Sequence, residues 1–195
     1  MAYTTIDDPS AYFHTQLFTG NGSTQSITND ANAGDFKPDW LWIKSRGSTH
    51  GHAVFDSNRG GNARLATEGT QEERTNEGNV TFQTDGFNVT SSHPTTNNNS
   101  TNMVAWQWKA NGGTTTSVSA TGTAHESTMA GTHQANTTAG FSIVTFSTAS
   151  EDLGDKLVTH GIGKKPEFII VKSTSTADWY CHHISANTND SKYIR

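Results

Sequence analysis

Cysteine is all but missing: the 195 residues contain one, Cys181. A lone thiol cannot close an internal disulfide, and it fits synthesis in a reducing cytoplasm. Charge is scarce too, at 16% of residues, and the 13 Lys and Arg are outnumbered by 18 Asp and Glu. That balance carries no basic footprint for nucleic acid, since Lys164-Lys165 is the only adjacent basic pair. No apolar run approaches the roughly 20 residues that span a bilayer. Residues 1–10 have neither the basic start nor the apolar stretch of a secretion signal, so none is expected. Large apolar side chains are few: the 5 Leu, 9 Ile, 8 Val and 9 Phe make up about 16% of the chain, under the roughly 20% where disorder becomes a live reading.

Disorder is nevertheless excluded by what is present. The formal net charge is only -5, and disordered chains usually carry more. The 5 Trp, 4 Tyr and 9 Phe each bury a large area. Polar weight falls on Thr, Ser, Asn and Gly, which suit turns and solvent-facing strand positions and disfavour helices. The expectation is a set of thin β cores with much polar loop, leaning on partner surfaces for stability.

Strand patterns follow. Asp39-Trp40-Leu41-Trp42-Ile43-Lys44 is apolar on both faces, with Trp40 and Trp42 opposite Leu41 and Ile43. Val104, Trp106 and Trp108 alternate along a second strand. Asp85-Gly86 turns into Phe87-Asn88-Val89. Residues 66–76 lack an apolar face and predict a loop or one turn; residues 91–101 predict a long polar loop. Lys156 to Val158 predicts a short strand.

Self-similarity organises the chain. Lys37-Pro38-Asp39-Trp40-Leu41-Trp42-Ile43-Lys44-Ser45 matches Lys165-Pro166-Glu167-Phe168-Ile169-Ile170-Val171-Lys172-Ser173 position by position in chemical type. Leu17-Phe18-Thr19 upstream has its counterpart in Val144-Thr145-Phe146, and His52-Ala53-Val54-Phe55 downstream has one around Trp179-Tyr180-Cys181-His182-His183. The predicted fold is all-β: an antiparallel β-sandwich-like domain over 1–110, a polar Gly/Thr/Ser-rich linker over 111–139, and a second, incomplete related β repeat over 140–195. The second copy has no partner for the Phe87-Val89 and Val104-Trp108 strands of the first, which leaves an open edge.

Chemical motifs are sparse. His50-Gly51-His52 and His182-His183 invite a metal reading, but neither pair belongs to a zinc-ligand spacing pattern. Asp7-Asp8, Glu72-Glu73 and Glu151-Asp152 are adjacent acids, whereas a glycosidase sets two acids across a cleft. Neither a Gly-x-Ser-x-Gly elbow nor a phosphate-binding glycine loop occurs. No catalytic, cofactor or metal residue is therefore assigned, and the chain is not expected to be an enzyme. Trp40, Trp42, Trp106 and Trp108 could stack on sugars, but their alternation predicts a buried core. Trp179, Tyr180, His182 and His183, after a polar loop, are the candidates for contact with a glycan or another subunit.

The start Met1-Ala2-Tyr3-Thr4-Thr5-Ile6-Asp7-Asp8-Pro9-Ser10, the run Gly20-Asn21-Gly22-Ser23-Thr24-Gln25-Ser26-Ile27, the Phe36-to-Lys44 strand, Val104-Ala105-Trp106-Gln107-Trp108-Lys109 and His160-Gly161-Ile162-Gly163 together resemble repeat-containing virion proteins of marine phages, especially cyanophages. The resemblance implies a tail-fibre or appendage component involved in host attachment, located in the virion and assembled in the host bacterial cytoplasm. It implies other virion subunits as partners, including copies of the chain itself in a homo-oligomer, and a host surface glycan as a further partner; nucleic acid and membrane are not among them. A capsid-decorating protein and a carbohydrate-binding module are the alternatives.

Overall fold

The computed structural model describes residues 6–29, 35–90, 92–122, 127–148 and 155–185. Within them the chain is all-β and antiparallel, as expected. The first part supplies β1 (Phe13–Thr19), β2 (Gln25–Ile27), β3 (Trp40–Ser45), β4 (Ala53–Asp56), β5 (Gly60–Leu65), β6 (Arg74–Thr75), β7 (Val80–Phe82), β8 (Phe87–Val89) and β9 (Asn102–Trp108). One sheet runs β1-β9-β3-β4-β5-β6 and a smaller one runs β2-β8-β7.

The core lies between these two sheets. Leu41, Ile43, Phe55, Met103 and Ala105 of the large sheet meet Ile27, Val80, Phe87 and Val89 of the small one. Period-two alternation puts every second side chain inward. Gly86 turns β7 into β8 beside β2: its φ is +79°, and a Cβ there would collide with the Ile27 carbonyl oxygen. Only glycine serves that turn.

Alternation also decides where the tryptophans go, and here the expectation of a buried core is corrected. Trp106 and Trp108 share one face of β9 with Trp42 opposite Trp106, but that face is the outer one, and both indoles are half-buried. Met103, Ala105 and Gln107 take the inward positions, each fully buried. Because β3 is apolar on both faces, its pattern does not tell inside from outside.

Polar segments hold more structure than their composition suggests. Inside 91–101 lies the short helix α1 (Pro94–Asn97). Its Asn97 is fully buried and satisfied: Oδ1 accepts from Asn21 N at 3.0 Å and Gln25 Nε2 at 2.7 Å, while Nδ2 donates to Ser23 O at 2.6 Å. Residues 66–76 contain only the two-residue β6.

The rest forms β10 (Thr116–Val118), β11 (Gly131–Asn136), β12 (Phe141–Phe146), β13 (Phe168–Lys172) and β14 (Trp179–His183). β10-β11-β12 make one sheet and β13-β14 a hairpin. The stretch read as a polar linker thus carries β10 and β11. They pack through hydrogen bonds in place of apolar contacts: Thr132 and Thr145 join hydroxyls at 2.7 Å. Gln134, 1% exposed, donates to Ser57 Oγ and Asn58 Oδ1 and accepts from Asn111 N and Gly113 N. A buried amide with all its groups paired is stable without an apolar partner. Leu157, read as part of a strand, makes a single parallel bridge to Thr128. No helix among the described residues is long and apolar enough to cross a membrane.

Candidate interaction surface

β3 and β13 begin from the same Lys-Pro sequence and end in very different surroundings. Leu41 and Ile43 are 0% exposed, whereas their counterparts Ile169 and Val171 are 39% and 37% exposed. On the other face Phe168 and Ile170 are 55% and 40% exposed. In the first part, the β2-β8-β7 sheet and β9 cover Leu41 and Ile43. Among the described residues no such layer covers β13, so four consecutive apolar side chains face water. A patch of this kind marks a contact surface.

The hairpin is anchored at its tip. Glu73 N donates to Thr174 O at 2.8 Å, Ala177 N to Thr70 O at 2.9 Å, and the Trp179 indole to Ala66 O at 2.9 Å. Glu73 itself is held by Arg59 at 2.8 Å, and Arg59 by Asp56 at 2.6 Å. Beyond the tip, neither strand pairs with a third among the described residues.

The four residues singled out from sequence all lie on β14. Tyr180 pairs with Val171 and His182 with Ile169, while Trp179 pairs with Lys172 and His183 with Phe168. The Phe168 and His183 rings are 6.0 Å apart. β14 therefore adds its side chains to the faces of β13. Trp179 has its indole N–H committed to the backbone, and is the anchor of the group. Phe168, Ile169, Ile170 and Val171 complete the surface. Their signal in the sequence is a strand that is apolar on both faces.

A second apolar surface is the outer face of the large sheet. Trp42 and Trp106 meet edge to face at 5.7 Å, and Phe13 tilts against Trp108 at 4.8 Å. Phe141 of β12 stacks on Trp108 at 6.4 Å. Phe13 is 39% and Leu17 54% exposed.

Two of the other sequence candidates, His52 and Asp8, have structural partners. The Trp42 indole donates to His52 Nδ1 at 2.8 Å. Burial lowers the pKa of His52, with Glu68 opposing and Lys44 adding to the shift. Asp8 accepts from Ser10 N at 2.9 Å. Glu151-Asp152 lies outside the described residues. Among the described residues no group of three or more His, Cys, Asp or Glu could hold a metal ion. An open depression beside Lys164 and Lys165 is lined by Val158, His160 and Gly161.

Fold and surface together define an all-β protein with antiparallel sheets and a hairpin whose apolar faces are uncovered among the described residues. The chain belongs to the DUF7483 family, a domain of unknown function, which it matches over residues 8–195. No curated protein and no solved structure matches it.

Proposed function

We propose that the chain is a non-enzymatic structural protein of a bacteriophage virion, a tail-fibre or appendage component that acts in host attachment through contacts with other subunits. The open β13 strand carries this reading. Leaving large apolar side chains in water costs about 1.5–3 kcal/mol each, and an unpaired strand edge invites aggregation. Neighbouring subunits in a particle remove both costs. The resemblance of the Phe36-to-Lys44 and Val104-to-Lys109 segments to repeats in marine-phage virion proteins supports the same reading. The Trp179 indole N–H is held by the Ala66 carbonyl, which fits a role in seating the hairpin.

The test is made on particles. Phage purified from cells that produce the chain is analysed by mass spectrometry, then labelled with antibody against it for electron microscopy. Recovery with the particles and label on tail appendages are expected. Label spread over the shell would replace this reading with a capsid-decorating one. Absence from purified particles would overturn it.

A further inference from the structure

We propose that the open depression beside Lys164 and Lys165 binds a tetrahedral oxyanion, the sulfate or phosphate ester of a polysaccharide. This names a ligand for the attachment role proposed above and rests on that reading for its setting.

Residues of the 158–165 loop line the depression, whose volume is about 500 Å³, a size usual for ligand sites. No Asp or Glu is among the lining residues, in a chain whose formal net charge is -5. Lys164 and Lys165 are exposed. Among the described residues neither lysine has an ion pair or a hydrogen bond.

The rest of the loop adds donors. The N–H groups of Gly161, Gly163, Lys164 and Lys165 make no hydrogen bond among the described residues. Ile162 N donates to His160 Nδ1 at 3.2 Å, which leaves the ring proton on Nε2 as a further donor. Free backbone N–H groups beside free cations make an anion site. The loop is held in shape before any ligand arrives. Ser142 Oγ of β12 donates to His160 O. Gly161 has φ +73° and lies against the His133 ring, with which a Cβ would collide.

The donor set also selects the anion. Its cations are lysines, which act as point charges, and no arginine lines the depression to grip a planar carboxylate with two parallel bonds. Sulfate and phosphate groups, with oxygens in several directions, suit separate point donors. The alignment that pairs Lys37 with Lys165 also pairs Asp35 with Gly163 and Phe36 with Lys164. Phe36 is 2% exposed, and Lys37 Nζ donates to Gly112 O at 3.1 Å. Where one segment has an acid, a core aromatic and a committed lysine, the other has a glycine and two free cations.

The test uses the purified full chain without particles, so its failure is distinct from absence of the chain in purified phage. The chain is titrated with dextran sulfate fragments, unmodified dextran of the same size, inorganic sulfate and phosphate, and a DNA oligonucleotide of matched charge. Amide chemical shifts are the readout. Dextran sulfate should move the amides of Gly161, Gly163, Lys164 and Lys165, and unmodified dextran should not. The inorganic ions should move the same amides only at much higher concentration, because they bind one at a time. Lys164→Gln and Lys165→Gln should each weaken binding of dextran sulfate by about twofold to fivefold. Arg46→Gln removes the same charge at another exposed site and should leave binding as in the parent. Shifts elsewhere with the 158–165 loop unmoved, an equal loss in Arg46→Gln, or equal affinity for the oligonucleotide would overturn the proposal. So would inorganic sulfate or phosphate binding the loop as tightly as the polymer, which would make the free ion the ligand.

Discussion

Lys44 and Lys172, at the same position of the two repeats, make the same pair of hydrogen bonds. Each ammonium donates to the carbonyl of the following serine at 2.7 Å, Ser45 in one case and Ser173 in the other. Each then reaches a second serine carbonyl in the turn, Ser48 at 3.2 Å and Ser175 at 3.0 Å. The hairpins differ in loop length: Trp40 pairs with Asp56, but Phe168 pairs with His183, one residue short of the equivalent position. The lysine clamp survives that deletion. Repetition in this chain is therefore a matter of geometry as well as of sequence.

Removing the clamp should act differently in the two units. Lys44→Met keeps the aliphatic stem and loses two charge-assisted bonds, and should lower global stability by about 1–2 kcal/mol in chemical denaturation. Lys172→Met should leave the global midpoint in place and speed hydrogen exchange only in β13 and β14, because that hairpin shares little with the main core. Equal global losses would show that both hairpins belong to one cooperative unit.

Asp39 is fully buried and ties three segments together. It accepts from Ser57 Oγ at 2.8 Å, Ala110 N at 2.7 Å and Gly112 N at 2.8 Å. Asp39→Ala strands two backbone donors, and each unsatisfied buried group costs about 1–3 kcal/mol. A loss of at least about 2 kcal/mol in a urea titration is expected. Asp39→Asn, which keeps one acceptor oxygen, should lose less.

The outward tryptophans and inward small residues of β9 make a comparative prediction. Met103→Ala opens a hole in a fully buried site and should cost about 2–5 kcal/mol. Trp106→Ala removes a much larger group from a half-buried face, yet should cost about 2 kcal/mol, because the vacated site opens to water. Denaturation midpoints of the two variants decide it. A Trp106→Ala loss well above that of Met103→Ala would mean that the outer face is a second core.

Legibility in the sequence followed side-chain pattern. The Lys-Pro strands, the Asp85-Gly86 turn and the alternation of β9 could be read because apolar spacing and turn chemistry are local signals. β11 could not, because Gly131-Thr132-His133-Gln134-Ala135-Asn136 has no apolar alternation. Its stability rests on Gln134 meeting Ser57 and Asn58, which lie far back along the chain in the first unit. The buried Asn97 escaped for the same reason: its partners Asn21, Ser23 and Gln25 identify it only once the chain has folded. Of the surface, Trp179, Tyr180, His182 and His183 were visible as an aromatic and polar run, while the role of Trp179 as an anchor depends on the Ala66 carbonyl.

Acid should weaken the fold through His52. Its Nδ1 accepts the Trp42 indole N–H, so the ring is neutral with its proton on Nε2. Burial holds its pKa below the usual 6.5. The unfolded chain therefore binds more protons than the folded one in the window under that value. This contribution is fully present above about pH 6.5 and is lost as pH falls through the folded value. His93 acts in the same sense, lowered by burial first and then by Arg64, against the pull of Glu77. Stability measured from pH 8 to 5 should fall on the acid side, and His52→Asn should flatten part of that fall. An unchanged profile in the variant would place the titration elsewhere.

Leu41 and Ile169 occupy the same repeat position with 0% and 39% exposure, which gives the sharpest test of the open surface. Leu41→Thr buries an unpartnered hydroxyl and removes core volume, so a loss of about 2–4 kcal/mol is expected. Ile169→Thr acts on a side chain already in contact with water. Threonine is a good strand former, so the variant should stay within about 0.5 kcal/mol of the parent. It should also be more soluble, because the apolar patch shrinks. Thermal denaturation and light scattering of both variants, at matched concentration, check each half. If Ile169→Thr destabilises as much as Leu41→Thr, then β13 is covered in solution, and the covering group must be identified before any partner is invoked. If only solubility changes, the patch is free in the isolated chain and available to whatever strand or subunit completes it.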